Sequence, residues 1–173
     1  MNPSNKIFET SDHDLTKYIQ KCKKCSNVIL NGKNIIYYED IDGIEIINHD
    51  KIAIIMNNQF NIVGHWVILL VLKKKNFRFA IYYDSLNTAR YKNTHFFDRI
   101  KLFCRKNRLK LYDCSFRIQN SKSRNCGFHS LHLLAKFSHL SFPKFCNYIT
   151  LLKKNPVRVN DALSIKFVEK HFH

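Results

Sequence analysis

Glycine and proline are scarce in this chain, with 4 Gly and 3 Pro among 173 residues. So few chain breakers exclude long flexible linkers, and no internal repeat or low-complexity segment is visible. Long hydrophobic runs are missing as well. The longest aliphatic stretch, Val67 to Leu72, is six residues, against the ~20 needed to span a bilayer. Met1-Asn2-Pro3-Ser4-Asn5 is polar and no apolar segment follows, so no secretory leader is read. A soluble, intracellular protein that is neither secreted nor membrane-bound is the expectation. Thiols stay reduced in such a compartment, and the six cysteines read as packing, metal or catalytic residues rather than a disulfide frame. Acidic residues are also few: 13 Asp and Glu stand against 29 Lys and Arg, a formal net charge of +16.

That surplus is unevenly placed. From Arg90 to Arg124 lie eleven basic residues (Arg90, Lys92, Arg99, Lys101, Arg105, Lys106, Arg108, Lys110, Arg117, Lys122 and Arg124) against only Asp98 and Asp113. Smaller clusters are Lys21/Lys23/Lys24, Lys73/Lys74/Lys75 and Lys153/Lys154. Solvation of a Phe-rich chain is one reading of this charge. Contact with the phosphates of DNA is the other, and clustered Lys and Arg favour it.

What the chain does contain is enough apolar material for a core. Hydrophobic residues make up 45%, and 14 Phe and 8 Tyr are present. Residues 1–173 are read as one domain that needs no disulfide or metal staple. Ser11 or Asp12 can cap a helix running to about Lys24, with Leu15, Tyr18, Ile19 and Cys22 on one face. Turn signals at Asn31-Gly32 and Asp42-Gly43 divide the next stretch. Lys51 to Met56 reads as a buried strand. Strands over 65–72 and 77–83 form a hairpin around a basic connector. Thr94 opens a helix with Phe96, Phe97, Ile100, Phe103 and Cys104 in a stripe. A strand over 109–118 follows, then a helix from Cys126 to about Leu140. Ser141 and Pro143 start another, and Asn160 caps a last one. The pattern predicts an α+β domain, with a central, mostly antiparallel sheet flanked by helices.

Four residues capable of chemistry stand at the ends of these elements: His65, Asp84, Gln119 and Cys126. Element ends are where reactive groups can meet in a cleft. A thiol at a helix N-terminus is stabilised as thiolate by the helix dipole, and Gly127 beside it permits close approach of a substrate backbone. An imidazole can take the thiol proton and return it to a leaving amine. His129 and His132 are rivals for that role, but they ride on the Cys126 helix itself. Asp84, 19 residues after His65 across the hairpin, can fix the imidazole tautomer, although Asp84-Ser85-Leu86-Asn87 also reads as a plain turn. Gln119 can donate its amide to an oxyanion beside the Cys126 backbone N–H. Trp66 reads as a wall beside the base. Cys22-Lys23-Lys24-Cys25 lacks a second pair of ligands, so no metal site is expected.

Cys126-Gly127 at a helix start, Gln119 seven residues upstream, and His65-Trp66 followed by Asp84 resemble the adenovirus-type cysteine endopeptidases. Their relatives occur in Maverick/Polinton elements and other DNA viruses, with SUMO- and NEDD8-specific proteases further off. Tyr82-Tyr83-Asp84-Ser85 resembles the strand carrying the acidic residue, and the tail from Asn160 to Val168 resembles the closing helix of Maverick-type members. The resemblance runs from about Ile52 to the C-terminus. It implies a papain-like core and a Cys-His-Asp mechanism with a Gln oxyanion donor. It further implies capsid or core precursor proteins as substrates during virion maturation, acting as a monomer in the virion and in the host nucleus or assembly site. No cofactor is required for the chemistry, and DNA is a possible activator. Adenoviral enzymes are also activated by a peptide disulfide-linked to a cysteine before the strand leading to Gln. Neither Cys104 nor Cys114 stands at that spacing, which speaks against peptide activation. Two other functions fit the same residues: an isopeptidase for SUMO- or ubiquitin-like modifiers, and an inactive, basic DNA-binding protein.

Overall fold

The computed structural model describes residues 10–22, 25, 28, 34–57, 64–88 and 94–172. Arg90, Lys92, Lys23, Lys24 and the Asn31-Gly32 turn lie outside the described residues, as do parts of the loops before His65 and after Asn87. Helix α1 (Asp12–Lys21) is followed by strand β1 (Ile35–Tyr37), a 3-10 helix (Tyr38–Gly43), β2 (Lys51–Asn57), β3 (Trp66–Lys74) and β4 (Phe77–Tyr83). Then come α2 (Thr94–Lys106), β5 (Lys110–Asp113), α3 (Cys126–His139), α4 (Phe142–Lys154) and α5 (Val157–Phe172).

The strands form one sheet in the order β1-β2-β3-β4-β5. Its centre, β2-β3-β4, is antiparallel, while both edge strands run parallel to their neighbours. The sheet is therefore mixed. The parallel edge at β5 arises because the chain crosses from β4 through α2, and a parallel return needs such a crossover. Helices cover both faces, which is why β3 reads as an unbroken apolar run instead of alternating. Its Ile68, Leu70 and Leu72 face a cluster with α1, α3, α4 and α5, including Leu15, Phe128, Phe137 and Phe145. Val67, Leu69 and Val71 face a second cluster with Ile41, Phe96, Ile100 and Phe103.

Several expected boundaries move, each for a local reason. Helix α1 is capped at Ser11 by a reciprocal capping box with Asp14, yet it stops at Lys21 rather than at Lys24. There the Cys25 N–H donates to the Cys22 carbonyl at 2.8 Å, and the two sulfurs are joined as a disulfide. The expectation of six reduced cysteines thus fails at Cys22 and Cys25. Their Cα atoms are 5.4 Å apart, inside the range a disulfide bridges. Strand β5 ends at Asp113, not at Ile118, because the Asp113 carboxylate accepts the Ser115 N–H at 2.9 Å and turns the chain out of the ladder. Helix α5 begins at Val157, so Asn160 is not its cap. That side chain is buried and donates to the Leu152 carbonyl at 2.8 Å, joining α5 to α4. The β3–β4 connector is only Lys75-Asn76, since Lys73 and Lys74 belong to β3.

Phe96 ties α2 to the face away from the cysteine, packing edge-on against Tyr38 and Tyr82. Phe96→Ala should therefore cost about 3–5 kcal/mol of stability, measured by urea unfolding, while leaving the labelling rate of Cys126 in the folded protein unchanged. A simultaneous loss of thiol reactivity would show that the two faces are not independent.

Candidate active site

The antiparallel pairing of β3 with β4 decides where the site lies. His65 immediately precedes β3 and Asp84 immediately follows β4, so both stand at the same end of the sheet. The Nε2 atom of His65 lies 2.5 Å from Oδ1 of Asp84. Asp84 is only 1% exposed. Its Oδ1 also accepts the Leu86 N–H at 2.9 Å, and its Oδ2 the Thr88 N–H at 2.7 Å. The two readings of Asp84, turn former and partner of the imidazole, therefore hold together. The same carboxylate does both.

Helix α3 brings Cys126 to this end. Its preceding residue, Asn125, makes no side-chain cap, so the first-turn N–H groups remain for the sulfur. Cys126 is 7% exposed. Its Sγ accepts from the Trp66 backbone N–H at 3.4 Å, and from Gly127 and His65. Burial opposes ionisation of this thiol. The His65 hydrogen bond and charge, with the two backbone donors, outweigh burial and hold the thiol below its ordinary value. For His65, burial likewise disfavours the cation, but hydrogen bonds and charges from Asp84 and Cys126 raise it to about 9. The three residues are thus arranged to hold a thiolate beside an imidazolium.

Gln119 is fully buried next to the turn after Asp84. Its Oε1 accepts from the Ser85 hydroxyl at 2.6 Å, and its Nε2 donates to the Ser123 carbonyl at 2.9 Å. The backbone N–H groups of Ile118 and Gln119 both donate to the Ser85 carbonyl, at 3.0 and 3.1 Å. A primary amide carries two N–H bonds, so this cradle fixes the group while engaging one of them. The rival histidines are occupied elsewhere. His129 Nε2 lies 2.8 Å from Asp161 Oδ1, and His132 meets the Tyr148 hydroxyl at 3.0 Å. Burial first, then nearby cationic groups, push His132 down to about 3.

Three participants were not legible in the sequence. Ser85 holds Gln119. Asp161 accepts both His129 and, through Oδ2 at 3.0 Å, the backbone N–H of Asn120, so it links α5 to α3 and to the residue after Gln119. Thr10 lies against both motifs: its carbonyl accepts the Trp66 indole N–H at 2.9 Å, and a Cβ at Gly127 would come within 2.0 Å of its Oγ1. The close approach permitted by Gly127 is made by the chain's own Thr10, a correction to the substrate backbone expected there. A long-range contact of this kind leaves no local sequence signal. Among the described residues no group of three or more His, Cys, Asp and Glu could hold a metal ion.

No protein-family model and no curated protein matches the chain. Solved structures do. The ASFV pS273R protease is similar over 83% of this chain and 63% of its own, with a TM-score of 0.57 at 14% identity. AvrA delL154, solved with IP6 and CoA, is similar over 84% of this chain and 53% of its own, with a TM-score of 0.53 at 13% identity. HopZ1a in complex with IP6 gives a TM-score of 0.51 at 14% identity, over 82% and 50%. The chain therefore spans between half and two thirds of these neighbours. The likeness shows a cysteine-protease-like α+β fold and does not single out the adenovirus type.

Of the free thiols, Cys126 alone is shifted down, whereas burial pushes Cys104 up to about 12 and raises Cys114 and Cys146. Iodoacetamide should therefore label Cys126 selectively at pH 6–7, located by mass spectrometry. His65→Ala should move its labelling profile to higher pH. Wild-type protein should lose the imidazolium-assisted part as pH rises through about 9. Uniform labelling of all free cysteines near pH 9 would contradict the pair.

Proposed function

We propose that the chain is a cysteine endopeptidase of viral type that cleaves structural or core precursor proteins during particle assembly. One observation carries the chemistry: a thiol held below its ordinary pKa by an imidazole that is itself clamped to a buried carboxylate. The fold shared with the ASFV protease supports peptide hydrolysis, while the substrate class and setting rest on the resemblance of His65-Trp66, Asp84, Gln119 and Cys126-Gly127 to the adenovirus-type enzymes.

In this mechanism the Cys126 thiolate attacks the scissile carbonyl carbon, forming a C–S bond and an oxyanion. The Cys126 backbone N–H and the N–H of Gln119 not held by Ser123 donate to that oxyanion. His65, as imidazolium, gives its proton to the departing amine as the C–N bond breaks. The neutral imidazole then takes a proton from water, whose oxygen attacks the thioester carbonyl. Collapse expels Cys126 as thiolate and leaves His65 protonated. Asp84 keeps Nδ1 of His65 toward the sulfur throughout, because Nε2 is engaged.

A second reading has a specific observation behind it. AvrA, one of the fold neighbours, was solved with CoA, and acyl transfer from a thioester donor needs the same three residues. Quenched-fluorescence peptides, a modifier ending in Gly-Gly attached to a fluorogenic amine, and acetyl-CoA with a lysine peptide separate the possibilities. Peptide cleavage is expected, lost in Cys126→Ala and reduced about 10²–10³-fold in kcat by Gln119→Ala. Turnover of the modifier alone would redirect the function to isopeptidase, and turnover of acetyl-CoA alone to transferase. Inertness toward all three would leave a binding protein on a protease fold.

A further inference from the structure

The end of the sheet opposite the cysteine carries a surface that the proposed chemistry leaves unused. His65 and Asp84 stand at one end of the β3–β4 hairpin, whereas Lys74 and Phe77 face one another at the other. Nine residues of β3 separate the two ends, about 26 Å of extended chain. At this far end Lys73, Lys74, Lys75, Arg78 and Phe77 border a concavity of about 670 Å³ whose one acidic neighbour is Asp50.

Register places an alternating set on one face of the two outer strands. Phe77 and Phe79 are two residues apart on β4, Phe79 pairs with Lys110 on β5, and Tyr112 follows Lys110 by two. Phe77 stacks on Phe79 with ring centroids 5.9 Å apart, Tyr112 meets Phe79 edge-on at 6.0 Å, and the Lys110 ammonium sits 5.1 Å over the Tyr112 ring. Phe142 of α4 packs on Phe79 with ring centroids 4.8 Å apart. Phe77 is 45% and Tyr112 44% exposed. Open aromatic rings are a liability on a soluble surface unless something stacks on them.

The connection from α2 to β5 adds to the same end. The Arg78 guanidinium donates to the Asn107 carbonyl at 3.1 Å, which places exposed Arg105, Lys106 and Arg108 beside the hairpin turn. Four other described cations of the Arg90–Arg124 stretch go elsewhere. Arg99 is bound to Asp42 and Lys101 to Asp98, while Lys122 and Arg124 flank the Gln119–Cys126 loop.

We infer that this end of the sheet, built on Phe77, Tyr112, Lys74 and Lys110, is a binding platform for single-stranded nucleic acid. Lysines alone would accept any polyanion, but flat rings between them match unpaired bases, which stack on aromatic side chains while the cations follow the phosphates. In a duplex those base faces are hidden. Because the platform lies far from the thiol, it tethers the protein to its polyanion and does not gate the chemistry. The inference is independent of what the cysteine site does.

The test is fluorescence anisotropy of the full chain with a labelled oligothymidylate of about 20 nucleotides, an oligouridylate of the same length and a matching duplex, at several salt concentrations. Both single strands should bind more tightly than the duplex. Phe77→Ala combined with Tyr112→Ala should weaken single-strand binding by about tenfold or more. Lys74→Ala with Lys110→Ala should flatten the log–log salt slope by about 1.4. Selective labelling of Cys126 should be unchanged in both double variants, which reports that they are folded. Equal affinity for duplex with no response to loss of the rings would overturn the platform in favour of unspecific charge. Displacement of the oligonucleotide by polyglutamate at matched charge concentration would overturn it in favour of an acidic peptide site.

Discussion

Desolvation of the Asp84 carboxylate is the constraint to which the rest of the site answers. An ionised carboxylate out of contact with water is costly unless donors surround it. Here His65, Leu86 N–H and Thr88 N–H supply them. The Ser115 hydroxyl, accepting the Asp84 backbone N–H at 3.1 Å, joins this turn to the chain leaving β5. Satisfying the carboxylate therefore fixes the turn, and the turn presents Ser85, whose hydroxyl and carbonyl hold Gln119 from two sides. The imidazole clamped at Oδ1 then keeps its remaining nitrogen for Cys126. Orientation of base and amide follows from one buried charge.

How much of this can be read from sequence depends on the distance over which the signal acts. The apolar run of β3, the stripe of α2 and the positions of His65, Asp84 and Cys126 were legible because periodicity and element ends are local properties. The helix at Cys126 and the α+β class follow from the same signals. The two parallel edges were not, since the strands read alike whichever way they pair. Gln119 drew attention only through the family resemblance and the polar loop between it and Cys126, and its placement depends on Ser85, 34 residues away. The Cys22–Cys25 disulfide escaped because compartment, not geometry, governed the expectation. Thr10, Ser85 and Asp161 are ordinary residues in sequence and matter only through tertiary contacts.

Charge is divided by the sheet in a way that composition could not reveal. Some basic residues are absorbed structurally: the Lys73 ammonium donates to the Ile46 and Ile47 carbonyls, and Lys51 donates to those of Ser138 and Leu140 at 3.4 and 3.2 Å. For Lys51, burial and then the nearby Lys74 disfavour the charged form. Lys73 thus ties a loop, and Lys51 the C-terminal end of α3, to strand ends. Among the described residues, exposed cations stand at the hairpin turn (Lys74, Lys75, Arg78), in the loop before Cys126 (Lys122, Arg124) and along the last two helices (Lys144, Lys153, Lys154, Arg158, Lys166, Lys170).

The cysteine pole itself is assembled from three directions that share few covalent neighbours. The hairpin brings the imidazole and carboxylate, α3 the sulfur, and the N-terminal segment Thr10 with Leu15 against Gly127 and Trp66. Within the hairpin, the Trp66 N–H and the His65 imidazole meet the sulfur and help to set the depth of α3 along its axis. Asp161 braces that register from outside by binding His129, three residues after Cys126, and Asn120, one after Gln119. A shift of α3 by one residue would move the sulfur about 1.5 Å along the axis, and displacements of that size are costly to catalysis. Asn160, binding Leu152 beside it, braces α5 on α4. The C-terminal helix thus braces both the Cys126 helix and the residue after Gln119.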